Sequence, residues 1–123
     1  MLTPDGLIDF AESLLAVPGE YAKRAAIGRA YYAVGHAALG IAIEAGLVGP
    51  SPNLHAVWGR FRTLTGQPAW SLVGYQGWDL KKLRERADYL VVYDGNLAAE
   101  AADAVALARE MIARMEALPA PRG

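Results

Sequence analysis

The chain has no cysteine, only two histidines, and no run of about twenty apolar residues. Without cysteine there is no disulfide framework, no thiol nucleophile and no Cys-based zinc site. Two histidines, His36 and His55, are too few for a recognisable metal centre, so no metal or cofactor is expected. The most apolar stretch, residues 30–43, is interrupted by Gly35, His36 and Gly40, and no membrane span is expected. The opening "MLTPDGLIDF" is acidic and lacks a continuous apolar core, unlike a secretory leader. A soluble, cytoplasmic protein is the expectation. Phosphate-binding glycine loops, nucleophile elbows and zinc-protease motifs are absent too.

What the chain does have is helix-forming sequence. Its 123 residues are 54% hydrophobic and 20% charged, enough for one domain with a sizeable core. Alanine and leucine dominate, and no alternating stretch suggests a strand. Thr3, Pro4 and Asp5 form a helix-start signature, followed by Leu7, Ile8, Ala11, Leu14 and Leu15 on one face. A second helix is expected from about Glu20 to Ala45, with Gly46 as its stop. Ser51-Pro52 repeats the start signature for a third helix reaching Gly66. Residues 66–78, with three glycines, a proline and three aromatics, predict an ordered connector. A fourth helix follows from about Asp79 to Val91, and a fifth from Leu97 to Leu118. The expectation is an all-α, up-and-down bundle of four to five helices over residues 1–118, with residues 119–123 a frayed tail.

Charge is unevenly placed. Residues 21–86 hold nine bases against three acids, while residues 1–20 hold four acids and no Lys or Arg. The basic middle either offers phosphates a face or is neutralised by the acidic ends.

One stretch of the second helix stands out. In "RAYYAVGH", Arg29 and His36 are seven residues apart, hence offset by about 20° and about 10.5 Å on one helix face. Tyr32 lies between them. A permanent cation for phosphate oxygens beside a group that titrates near neutrality suits RNA cleavage without a metal. The same helix is thin, with Gly28, Ala30, Ala33, Gly35, Ala37, Ala38 and Gly40, which suits close helix packing or self-association instead. Tyr31 and Tyr32 either stack nucleobases or pack the bundle. Trp70, Tyr75 and Trp78 either form a stacking wall or anchor the connector. Arg84 and Asp88 are either part of a phosphate-facing cluster or an i,i+4 surface pair.

The segment "AAIGRAYYAVGHAALGIAIEAG" resembles the signature helix of HEPN domains, and the likeness continues in "HAVW" (His55–Trp58) and "LRERADY" (Leu83–Tyr89). Together these cover roughly residues 20–118. The resemblance implies a small helical bundle that forms a homodimer, occurs in toxin–antitoxin pairs, acts on or binds RNA or a nucleotide, and partners a minimal nucleotidyltransferase. It also implies metal-independent ribonuclease chemistry through an Arg and a His separated by four to six residues. In the nuclease members that motif lies near the last helices. Here that region reads "RERADY" and no histidine follows His55, so the spacing match at Arg29 and His36 sits on an earlier helix. If the chain cleaves RNA, Arg29 holds the phosphate and His36 moves the proton. Tyr32, His55, Arg84, Arg86 and Tyr89 are then the substrate-binding candidates. The alternative is a non-catalytic dimeric module that docks a nucleotidyltransferase or another partner.

Overall fold

The computed structural model describes residues 1–49 and 53–122. Within them, five helices form a bundle: α1 (Pro4–Leu15), α2 (Glu20–Glu44), α3 (Ala56–Arg62), α4 (Pro68–Tyr89) and α5 (Leu97–Glu116). Among the described residues there is no strand. Nor, among them, is any helix long and apolar enough to cross a membrane.

α2 is the central element, packed against α1, α4 and α5, while α3 packs chiefly on α4. That position explains its composition. A helix enclosed on several sides needs small residues where backbones approach, and Ala26, Ala30, Ala33, Ala38 and Ala42 are all fully buried. α5 contributes the stripe Ala101, Ala104, Val105, Ala108, Met111, Ile112 and Met115. One continuous core joins these to Ile8, Ile27, Val34, Trp58, Phe61 and Leu80.

The local start and stop signals act as their chemistry predicts. Thr3 Oγ1 accepts from the Gly6 N–H at 3.0 Å, and Pro4 occupies the first turn of α1. α2 ends at Gly46, whose φ of 72° is the left-handed conformation glycine adopts without strain. The Leu47 N–H then reaches back to the Ala42 carbonyl and the Gly46 N–H to that of Ile43, satisfying the last turn. Asn96 caps α5 by accepting from the Ala99 N–H at 3.1 Å.

Two basic residues at the start of α2 hold the ends of other helices. Lys23 Nζ donates to the Leu15 and Val17 carbonyls beyond α1. The Arg24 guanidinium donates to the Ala87 and Leu90 carbonyls at the end of α4. A cation at a helix C-terminus satisfies orphan carbonyls and opposes the negative end of the helix dipole.

The structure corrects the expected connector. Residues 68–78 are helical and form the first half of α4, which therefore begins eleven residues before the expected Asp79. Gly74 and Gly77, read as loop signals, are contact points for α3, whereas Gly66 does turn the chain before α4 with a φ of 76°. A Cβ on Gly77 would overlap the Trp58 ring, and one on Gly74 would stand 2.8 Å from the Trp58 carbonyl oxygen. The third helix is shorter than expected, Ala56–Arg62, and its expected start at Ser51-Pro52 lies outside the described residues. Residues 119–122, expected to fray, instead hydrogen-bond to Gln67, Trp70 and Gly66.

Candidate functional site

On α2, Arg29 and His36 are both exposed and Tyr32 is half-buried between them. The Arg29 Cζ stands 5.6 Å from the Tyr32 ring centroid. A second guanidinium arrives from α4: the Arg84 Cζ is 5.8 Å from the Tyr32 centroid and 5.9 Å from that of Tyr31. Two cations from different helices thus share one aromatic side chain. Arg84 is further fixed by an ion pair from Nε to Asp88 Oδ2 at 3.0 Å. Burial opposes its charge, but Asp88, followed by Tyr32 and Tyr89, holds the guanidinium pKa above its ordinary value.

Beneath this surface Tyr31 is wholly buried and its hydroxyl is a hydrogen-bonding hub. Trp58 Nε1 donates to it at 3.0 Å, and His55 Nδ1 lies 2.5 Å away. An indole N–H can only donate, so the arrangement that satisfies every proton has the Tyr31 hydroxyl donating to an unprotonated Nδ1. The neutral His55 then carries its proton on Nε2. Its ring also stacks on that of Tyr31, with centroids 5.6 Å apart. Burial, then the positive charges of Lys81 and Arg84, lower the His55 pKa, with Glu85 opposing. A neutral imidazole with one nitrogen engaged and the other protonated is a poor general base. His55 acts here as the clip that fastens the start of α3 to α2.

Of the residues singled out from sequence, the structure gathers Arg29, Tyr32 and Arg84, with Tyr31 and His55 below them. Arg86 belongs to a different group. Its Nη2 pairs with Asp94 at 2.9 Å and Glu100 at 3.4 Å, beside Tyr93, which donates to Glu100 at 2.6 Å. That network closes the α4–α5 turn. Tyr89 is exposed near the same turn. His36 shares the α2 face with Arg29. Trp58, the donor to the hub, is not among the site residues singled out from sequence. The available signal was its i,i+3 spacing from His55, which places both side chains on one face of the third helix.

None of the five described concavities is lined by Arg29, Tyr32, His36 or Arg84. Arg29 and His36 stand exposed on the α2 face. Among the described residues no three His, Asp or Glu side chains gather to hold a metal ion. Such a face suits binding: an exposed guanidinium holds phosphate oxygens bidentately, and the aromatic ring beside it accepts a base or sugar.

Set against known protein families, curated proteins and solved structures, the chain finds no match.

Proposed function

We propose that this chain is a HEPN-like RNA-associated protein that holds a phosphodiester on the face formed by Arg29, Tyr32 and Arg84. The observation that carries the reading is the convergence of two guanidinium groups from α2 and α4 on the Tyr32 ring. In this reading the exposed Arg29 neutralises the phosphate, while Arg84, held by Asp88, fixes the Tyr32 ring beside it. If the bound strand is cut, His36 moves the proton, because its ring lies on the same face while that of His55 is engaged by Tyr31. Catalysis of this kind needs no metal. The physiological setting proposed is cytoplasmic, as the toxin-side member of a toxin–antitoxin pair and as a homodimer.

A second reading is favoured by the openness of the face. Arg29 and His36 do not meet in a water-excluding cleft, and electrostatic catalysis gains most where water is excluded. Here the chain is a non-catalytic dimeric module that docks a minimal nucleotidyltransferase or another partner.

The deciding experiment incubates the purified protein with total RNA in EDTA, beside an Arg29→Ala/His36→Ala double variant of confirmed fold. Cleavage by the parent alone supports a metal-independent ribonuclease acting on this face. RNA retained but uncut by the parent, and released by the double variant, supports phosphate binding without catalysis. Failure of the parent to bind or cut RNA leaves the docking module as the working function.

A further inference from the structure

The far end of α2 carries a separate arrangement, about 18 Å along the helix axis from Arg29. Residues 119–122, Pro-Ala-Pro-Arg, lie as a strap against the start of α4. Trp70 Nε1 donates to the Pro119 carbonyl at 3.0 Å. The Gln67 side-chain amide pairs with the Arg122 backbone in both directions, donating to its carbonyl at 3.1 Å and accepting from its N–H at 2.7 Å. The Arg122 guanidinium donates to the Gly66 carbonyl at 2.7 Å. An indole N–H and a side-chain amide reading the backbone of a proline-rich segment is the chemistry by which extended peptides are captured.

The strap does not fill its groove. A concavity of about 280 Å³, walled outside the strap by Gln67, Pro68, Ala69 and Trp70, lies beside a larger one of about 400 Å³ lined by Ile41, Glu44, Trp70, Met115 and Glu116. Pro119 and Ala120 border both. Neither Glu44 nor Glu116 pairs with a basic side chain among the described residues. The residue between the two prolines is alanine, which brings no charge to these carboxylates.

We propose that this groove is a binding site for a proline-rich, basic segment of a partner protein, and that Pro119–Arg122 is its occupant in cis. The tethered segment has the advantage of a high effective concentration. A partner segment displaces it by carrying what the strap lacks, a lysine or arginine between the prolines that fills the empty space and faces Glu44 and Glu116. The acidic, partly apolar lining matches that chemistry and opposes an acidic segment.

The test uses the full chain labelled with 15N. Its three tryptophans give three indole N–H signals, of which that of Trp70 reports the strap and that of Trp58 reports the core. The variant Pro119→Gly/Arg122→Ala loosens the strap, and the Trp70 signal shifts while that of Trp58 stays. Added acetyl-Leu-Pro-Ala-Pro-Arg-amide returns the Trp70 signal toward its original position. The peptide with lysine in place of alanine does so at about threefold lower concentration, the gain expected of one partly exposed ion pair. That advantage disappears in a chain also carrying Glu44→Gln and Glu116→Gln.

A Trp70 signal unmoved by millimolar peptide overturns the binding site, and equal response to both peptides overturns the basic partner. Restoration of the Trp70 signal by raising the protein concentration, with no peptide added, makes a second copy the occupant and likewise overturns it. Should the loosened variant not fold, Ala120→Lys in the otherwise native chain serves instead. It slows hydrogen exchange of the Trp70 indole N–H severalfold, and an unchanged rate refutes the proposal.

Discussion

Replacing Tyr31 with phenylalanine removes one oxygen from the core and leaves its ring in place. The loss falls on Trp58, whose side chain is fully buried and whose indole N–H has the Tyr31 hydroxyl as its acceptor. An unpaired buried donor costs about 1–3 kcal/mol. His55 is only half-buried, so water can replace the lost donor at Nδ1 and little is added. Tyr31→Phe is therefore expected to lower stability by about 2 kcal/mol. For a chain of this length that is roughly a 5–10 °C fall in Tm. Urea denaturation at pH 7.5 checks it, with a lower midpoint and an unchanged slope. The variant should also lose part of the acid sensitivity of the parent. The folded pKa of His55 is depressed below 6.5, so its contribution is fully present above pH 6.5, where both states are neutral. As pH falls through 6.5 the unfolded histidine binds a proton that the folded one resists, and stability declines until the folded pKa is passed. Removing the hydroxyl that donates to the neutral ring moves the folded pKa back toward 6.5 and flattens that decline. Stability of Tyr31→Phe within about 0.5 kcal/mol of the parent, with the same His55 titration by NMR, would refute the hub.

The two glycine contexts separate cleanly. Gly40→Ala lies in the interior of α2 with nothing near its added methyl, and is expected to stabilise by about 0.5–1 kcal/mol in urea melts. Gly77→Ala meets the Trp58 ring and is expected to destabilise by about 1–3 kcal/mol despite the same gain in helix propensity. Equal effects would remove the argument for close α3–α4 approach. Arg24→Ala strips the carbonyls at the end of α4 of a charged donor, and a loss of about 1–3 kcal/mol is expected, with early hydrogen exchange in residues 86–91. Arg24→Lys should recover only part of it, since a point ammonium cannot span the Ala87 and Leu90 carbonyls as a guanidinium does. On RNA, Arg29→Ala should reduce the slope of log affinity against log salt by about 0.7, the share of one phosphate contact on a single strand. An unchanged slope would place the bound strand elsewhere.

What the sequence made legible was local. Thr3-Pro4, Gly46 and Asn96 act within a turn of their own position, so their residue types suffice to place helix ends. The same logic misled at residues 66–78. Glycine punctuates a loop and also lets two helices touch, and nothing within the segment distinguishes Gly74 or Gly77 in one role from the other. The deciding partner was Trp58, on another helix. The site divides in the same way. Arg29 over Tyr32 is an i,i+3 relation, readable from helical geometry alone. The approach of Arg84 and the Tyr31–His55–Trp58 hydrogen bonds join residues 24 to 53 positions apart, and only the packing of α3 and α4 on α2 brings them together.

The basic middle of the chain shows why a charge count is a poor map of a binding face. Its surplus of cations is mostly engaged within the protein. Lys23 and Arg24 cap helix ends, and Arg60 donates to the Leu47 carbonyl. Lys81, Lys82, Arg84 and Arg86 each face a carboxylate, and Arg62 lies over the Trp78 ring with its Cζ 4.9 Å from the centroid. Arg29 is the exposed exception, with an aromatic ring and, among the described residues, no carboxylate as its neighbour. A cation already satisfied by a buried pair gives little to a ligand, because the new contact must replace the old one. An exposed cation poised on a tyrosine gives its full interaction and keeps the ring available for stacking. If RNA binds as proposed, the expected footprint is small, about one phosphate wide and partly aromatic, and its affinity should depend on shape and stacking more than on the net charge of the chain.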